Sequence, residues 1–128
     1  MSLRSPLGRV LGLGSAKDGT GHWWAQRVTA VGLVLLGLWF LVSLTQLPEF
    51  DRADVLAWAG LSRNAVMLLL LVGTLAWHST LGVQVVIEDY VHAPLAKVIA
   101  LLANRFVHLV VAIAAALAIV RMSLGDLS

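Results

Sequence analysis

The chain has 128 residues, of which 59% are hydrophobic and only 12% are charged. An ordinary soluble domain carries about 25% charged residues, so this composition excludes a disordered chain and argues against a soluble enzyme. The absence of cysteine excludes disulfides and iron–sulfur ligation by this chain, and a net charge of +2 is too small to indicate a nucleic-acid-binding surface.

Three apolar stretches predict membrane-spanning helices. Val28–Leu47 and Ala65–Ile87 contain no formal charge, and each reaches the length of about 20 residues that a span requires. Phe106–Val120 lies between two arginines and is shorter. The third span must therefore take residues either from Leu95–Asn104, in a helix that begins just after Pro94, or from Met122–Leu124.

The predicted fold is an all-α membrane protein with three transmembrane helices running up, down and up. It consists of an N-terminal tail over residues 1–26 and an anchor domain over residues 27–124, with spans at about 27–47, 65–88 and 98–122. Basic residues mark the cytoplasmic side of a membrane protein. They concentrate before the first span and in the second loop. We therefore expect a multi-pass protein of a bacterial inner membrane, with its N-terminus in the cytoplasm and its C-terminus in the periplasm.

One face of the second span carries ionisable residues. His78 precedes Asp89 by 11 residues, which places the imidazole about 16 Å deeper, near the middle of the membrane. The two side chains differ by only about 20° around the helix, and Gly82 lies between them on the same face. A glycine one turn from a histidine admits a packed helix or a flat macrocycle, and neutral imidazole is a common axial ligand of haem iron. From this helix alone, His78 is either a haem ligand or a polar residue that hydrogen-bonds a neighbouring helix.

Further candidate site residues lie at the cytoplasmic ends of the first two spans. Tyr90 suits the membrane interface, and its phenol can also donate a hydrogen bond to the carbonyl of a lipid-soluble quinone. Glu88 and Asp89 are electrostatically unfavourable at a helix C-terminus. They are either solvated charges or groups with a cationic partner or a role in proton handling. Arg27 is either a snorkelling anchor or a cation for haem propionates or a quinone.

His108 in the third span offers an alternative haem arrangement. If that helix begins near Leu95, His108 lies about 20 Å along it, which matches the depth of His78. An intrachain clamp of a haem between His78 and His108 is then geometrically possible. The other interpretation is that His108 and the nearby Arg105 meet a partner subunit or an interfacial water.

The order and spacing of these motifs resemble a known family. His78-x-x-x-Gly82 followed by Asp89-Tyr90 resembles the signature of the small hydrophobic membrane anchor subunit of succinate dehydrogenase, which is respiratory complex II. Gly12–Lys17 and Gly21–Ala30 resemble the segment that leads into the first helix of that family. Three spans with a cytoplasmic N-terminus are also the topology of the family. The third span resembles the family only in its hydrophobicity.

The resemblance implies a role for most of the candidate residues. His78 would be one axial ligand of a b-type haem. The second histidine would come from a sister cytochrome b anchor subunit, which packs with this chain into a haem-binding helical bundle. Tyr90 would donate a hydrogen bond to a ubiquinone carbonyl, and Asp89 would support that site. Arg27 would lie near the haem propionates and the quinone pocket, whereas His108 receives no role.

The implied function is membrane anchoring in succinate:quinone oxidoreductase. A flavoprotein subunit oxidises succinate, an iron–sulfur subunit passes the electrons to the membrane surface, and ubiquinone takes up two electrons and two protons in the respiratory chain and tricarboxylic acid cycle. This chain would be non-catalytic toward succinate, and it would supply the haem ligand, part of the quinone site and the membrane anchor. The alternatives are the anchor of a fumarate reductase-type complex, a haem-free structural anchor, and a small oligomeric transporter or channel.

Overall fold

The fold is given by a computed structural model that describes residues 16–125, with side chains from residue 20 onward. Its helices are α1 (Ala16–Leu44), α2 (Arg52–Gly60), α3 (Ser62–Tyr90) and α4 (Pro94–Leu124). Of these, α1, α3 and α4 are long and apolar enough to cross a membrane. No strand occurs among the described residues. The predicted all-α architecture with three spans is confirmed.

The first helix begins earlier than the span that the sequence predicts. α1 is helical from Ala16, which lies inside the predicted tail of residues 1–26. The glycines of this segment do not interrupt the helix, because each added turn pairs its own backbone groups. The added turns place His22 and Gln26 in line with Thr29 on one face of α1. Residues 1–15, with most of the Gly12–Lys17 motif, lie outside the described residues.

A short helix, α2, lies in the first loop, where the sequence predicts none. Asp51 caps its N-terminus, because Oδ1 of Asp51 accepts a hydrogen bond from the backbone N–H of Asp54 at 2.7 Å. Trp58 of α2 stacks on Trp39 of α1, with ring centroids 6.0 Å apart. Asn64 Nδ2, at the start of α3, donates to the Trp58 carbonyl at 2.8 Å. These contacts fix α2 across one end of the helix bundle.

The central helix of the bundle is α3. Both α1 and α4 pack along it, and within residues 16–125 the backbones of α1 and α4 do not approach each other closely. The approach of α1 is close at Gly32, where a Cβ atom would lie 3.4 Å from the Thr74 side chain. Among the described residues, the buried ones are as often polar as apolar: Thr29, Asn64 and Asn104 against Ala59, Ala65 and Ile119. Small residues and polar contacts therefore join the helices, as is typical of helix packing in lipid.

A short connection joins α3 to α4 at the end opposite α2. α3 ends at Tyr90, and Pro94 stands in the first turn of α4, close to the start that the sequence predicts. Lys97 Nζ donates to the backbone carbonyl of Glu88 at 2.9 Å, which places a cation at the carbonyl end of α3. At its far end α4 stops at Gly125, whose φ of 81° suits glycine. The three long helices therefore run up, down and up.

Candidate functional site

His78 faces α1 and donates a hydrogen bond from Nδ1. Its half-buried imidazole places Nδ1 2.9 Å from Oγ1 of Thr29. The Thr29 hydroxyl also lies 2.7 Å from the Ala25 carbonyl and 3.2 Å from the Gln26 carbonyl. Since two oxygens 2.7 Å apart need a hydrogen between them and a carbonyl can only accept, we assign the hydroxyl hydrogen to the Ala25 carbonyl, so that Oγ1 accepts the hydrogen of His78 Nδ1. In a neutral imidazole this arrangement leaves a lone pair on Nε2.

The Nε2 atom of His78 has one long contact. The Gln26 amide nitrogen lies 3.4 Å away, which is longer than an ordinary N–H hydrogen bond. The amide oxygen of Gln26 is buried and has no hydrogen-bond partner among the described residues. Gly82 follows one turn later, and a Cβ atom there would lie 3.7 Å from the Gln26 amide nitrogen. The predicted face of His78 and Gly82 therefore points toward α1. It carries the lone pair of the imidazole, and Gly82 adds no side chain beside it.

His108, in contrast, has both ring nitrogens engaged. Its Nδ1 donates to the carbonyl of Asn104 at 2.8 Å, and its Nε2 accepts from Oγ of Ser79 at 2.9 Å. Nδ2 of Asn104 also joins α4 to α3 by donating to the Thr80 carbonyl at 3.0 Å. His108 thus belongs to the α3–α4 contact, whereas His78 faces α1. The structure does not bring the two histidines together as an intrachain clamp.

Arg27 is exposed and does not contact His78. Its guanidinium lies over the Trp23 ring, 5.5 Å from the centroid. Trp23 stacks in turn on Trp24, with ring centroids 5.4 Å apart. Around the helix, Arg27 points about 160° away from Thr29, the residue that faces His78. Arg27 therefore does not lie on the face of α1 that meets His78, and its guanidinium packs on Trp23 of the same helix.

The end of α3 carries the remaining predicted residues, Asp89 and Tyr90. Tyr90 is 78% exposed; its backbone carbonyl accepts from Nδ1 of His92 at 3.1 Å, and its hydroxyl has no partner among the described residues. The neighbouring Glu88 carboxylate accepts from the Gln84 amide at 2.7 Å. The Asp89 carboxylate is exposed and has no hydrogen bond or ion pair among residues 20–125. The Tyr90 hydroxyl and the Asp89 carboxylate are therefore directed outward at the same end.

The donor set suits a macrocyclic metal group better than a bare metal ion. The described part of the chain contains no group of three or more His, Cys, Asp or Glu side chains that could hold a metal ion. A bare transition-metal ion in a structural site usually takes four protein ligands. A haem iron needs only axial ligands from protein. One available imidazole nitrogen beside a glycine fits the second requirement.

The structure has a concave region at the α2 end of the bundle, which the sequence did not predict. It has a volume of about 500 Å³ and is lined by Trp39, Val42, Ser43, Gln46, Trp58, Arg63, Asn64 and Met67. It exists because α2 folds back across the ends of α1 and α3. None of the predicted site residues contributes to its walls.

The known proteins and the family model that match this chain are all membrane subunits of succinate dehydrogenase or fumarate reductase. The family model described as succinate dehydrogenase/fumarate reductase transmembrane subunit matches residues 1–120. The succinate dehydrogenase hydrophobic membrane anchor subunit of Rickettsia bellii is 41% identical over 90 residues, which cover 69% of this chain and 70% of that protein. The protein of the same name from Paracoccus denitrificans is 33% identical over 121 residues, which cover 94% and 93%. The succinate dehydrogenase membrane anchor subunit of Reclinomonas americana is 28% identical over 95 residues, which cover 71% and 78%. No solved structure matches this chain.

Proposed function

Since this chain belongs to the succinate dehydrogenase/fumarate reductase transmembrane subunit family, as a hydrophobic membrane anchor of succinate dehydrogenase, we propose that it supplies one axial ligand to a b-type haem and part of a ubiquinone site. It is a multi-pass membrane protein with three spans. As an anchor it acts in a complex with other subunits. The proposal concerns which of its residues hold the cofactor and the quinone.

The hydrogen bond from His78 to Thr29 is the observation that carries the haem proposal. A metal-bound histidine almost always donates its other ring N–H to a fixed acceptor, which sets the tautomer and the ring orientation. Thr29 is only 4% exposed, and its hydroxyl is held by the Ala25 carbonyl, so it is such an acceptor. When bound, a b-type haem would supply an iron centre for electron transfer. His78 would hold it through Nε2, and Gly82 would let a flat ring approach α3.

The second axial ligand would come from another chain. His108 on α4 is not available for this role, because both its ring nitrogens are engaged by Asn104 and Ser79. A sister cytochrome b anchor subunit that packs beside α1 and α3 would supply the second histidine. The outer face of α1 exposes Val31, Val34 and Leu38, which leaves it free for lipid or for a partner helix. Such a partner would complete the helical bundle around the haem.

The ubiquinone site would lie at the Tyr90 end of α3. The Tyr90 hydroxyl would donate a hydrogen bond to a quinone carbonyl, and Asp89 would support that site through its carboxylate. Neither group is engaged by the described part of the chain. Arg27 lies level with His78, because its neighbours Gln26 and Thr29 contact that residue, and it is about 18 Å along the bundle from Tyr90. Its exposed guanidinium would bind the haem propionates or line the quinone pocket.

Partner subunits would supply the electrons. A flavoprotein subunit would oxidise succinate, and an iron–sulfur subunit would carry the electrons to the membrane surface. This chain has no cysteine with which to ligate a cluster, so its own residues would bind and orient the haem and the quinone. We propose a bacterial inner membrane, the setting of the bacterial relatives, with the N-terminus in the cytoplasm, an orientation favoured by the basic residues before the first span.

Two alternatives have some support. The contact of Gln26 with His78 Nε2 favours a haem-free structural anchor, in which both imidazole nitrogens bond to α1. The family description covers fumarate reductase as well as succinate dehydrogenase. The relatives described above carry the succinate dehydrogenase name, which favours the succinate-oxidising complex.

The haem content of the purified complex tests the proposal. A complex that contains this chain and reduces ubiquinone with succinate is expected to hold one b-type haem for each flavoprotein subunit, measured by the pyridine haemochrome spectrum. A complex with full quinone reduction and no b-type haem would establish the haem-free anchor instead.

A further inference from the structure

Two unpartnered polar atoms lie on one face of α1, close to His78. Buried atoms without a hydrogen-bond partner among the described residues are His22 Nε2, Gln26 Oε1 and, on α4, Asn104 Oδ1. A spacing of four residues makes His22 and Gln26 neighbours on the helix surface. One is an imidazole nitrogen that can carry a hydrogen, and the other is an amide oxygen that accepts one. The two atoms are therefore complementary, although they are not bonded to each other.

The Gln26 amide lies where a haem held by His78 would bind. Its nitrogen is 3.4 Å from His78 Nε2 and would be 3.7 Å from a Cβ atom at Gly82. A bond between an imidazole nitrogen and a metal ion is about 2 Å long. A macrocycle centred on such a metal would overlap the Gln26 amide. The amide must therefore turn aside if His78 is an axial ligand.

We propose that Gln26 has two positions, one against His78 in the haem-free chain and one against His22 in the haem-bound complex. This inference rests on the proposed haem function of His78. In the second position, Gln26 Oε1 accepts a hydrogen bond from His22 Nε2, so the two unpartnered atoms satisfy each other. Only side-chain dihedral angles change, and the bond between Thr29 and His78 is kept. Gln26 and His22 are thus positioning residues that expose the ligand nitrogen.

A double-mutant cycle on haem affinity tests this pairing. The complex with the wild-type chain, His22→Phe, Gln26→Ala or both substitutions is prepared from haem-limited cells and titrated with haemin, and the absorption of the bound haem is recorded. His22→Phe is expected to weaken haemin binding about 5-fold, the size of one net hydrogen bond. In the Gln26→Ala background the same substitution is expected to change the affinity by less than about 2-fold. Gln26→Ala alone is expected to speed haemin association, because no amide has to move.

Gln84→Ala is the matched control for Gln26→Ala. Gln84 lies close to Gly82 in sequence, but its amide donates to Glu88 at 2.7 Å rather than contacting His78. This variant is expected to leave both the association rate and the affinity at the wild-type values.

The results separate the pairing from the haem function on which it rests. If His22→Phe weakens haemin binding equally in both backgrounds, His22 acts independently of Gln26 and the pairing is wrong. An unchanged affinity in His22→Phe also overturns it. If the wild-type complex binds no haemin at the expected site, the haem function of His78 is wrong, and the pairing falls with it.

Discussion

His78 Nδ1 and the Thr29 hydroxyl lie 2.9 Å apart across the contact between α1 and α3. This hydrogen bond distinguishes His78 from His108, the histidine of α4. His78 keeps a lone pair on Nε2, whereas His108 engages both its nitrogens with Asn104 and Ser79. Their depth in the membrane does not distinguish them. His108 of α4 contacts Ser79, the neighbour of His78 in α3, so the two histidines lie at nearly the same depth. The hydrogen-bond partners therefore decide which histidine is the better ligand.

Replacing Thr29 with Val tests the positioning of His78. The substitution keeps the size of the side chain but removes the acceptor of Nδ1, so the imidazole loses its fixed tautomer and orientation. Haem affinity is expected to fall about 10- to 100-fold, the range found when an outer-shell partner of a metal ligand is lost. Thr29→Ser keeps the hydroxyl and should bind haem nearly as well as the wild type. Haemin titration of the purified complex measures both effects.

Thr80→Val is the matched control for Thr29→Val. Thr80 also donates to the carbonyl four residues earlier, at 2.7 Å from Ala76, but its side chain makes no hydrogen bond to His78. Its replacement should leave haem affinity unchanged. An equal loss in both variants would mean that helix stability, and not the Nδ1 contact, controls haem binding.

Replacing Tyr90 with Phe tests the quinone site. The ring remains, but the hydroxyl that would donate to a quinone carbonyl is lost, so kcat/KM for ubiquinone should fall about 2- to 10-fold. Succinate oxidation with a soluble dye as electron acceptor should not change, and neither should the haem spectrum. Unaltered quinone kinetics would show that the exposed phenol is only an interface anchor.

Replacing Gly60 with Ala tests the docking of α2 on α4. The new Cβ atom would lie 3.1 Å from the backbone carbonyl oxygen of Met122, which cannot move aside as a flexible side chain can. Overpacking of this kind costs about 1–3 kcal/mol, so thermal unfolding in detergent micelles should occur at a lower temperature. Gly73→Ala is the control, because no atom lies within 4 Å of its added Cβ. Equal unfolding temperatures for the two variants would contradict a tight contact between α2 and α4.

The three spans were predictable because apolar length alone specifies a membrane helix. The last helix begins at Pro94, which is one of the two extensions that the sequence left open. α2 was missed, although Asp51 and Asp54 have the spacing of an N-terminal cap, which is realised in the structure. A nine-residue helix is too short for a hydrophobic period to stand out. It is defined mainly by tertiary contacts, such as Trp58 on Trp39.

The site was predictable only in part. His78 stands out in the sequence because an ionisable residue within a span is costly and rare. Thr29 and Gln26 do not, because uncharged polar residues are common in membrane helices, and their contact with His78 depends on the rotation and offset of α1 against α3. For the same reason the sequence could not show that His108 engages Ser79 instead of sharing a ligand with His78.

The most direct test of the haem assignment is a reduced-minus-oxidised absorption spectrum of the purified complex, with His78→Ala measured beside His108→Ala. We expect a b-type haem signal in the wild type, its loss or alteration in His78→Ala, and a normal signal in His108→Ala. The matched pair controls for removing an imidazole from the membrane interior. An unaltered haem signal in His78→Ala, or a signal lost only in His108→Ala, would contradict the assignment of His78 as the axial ligand.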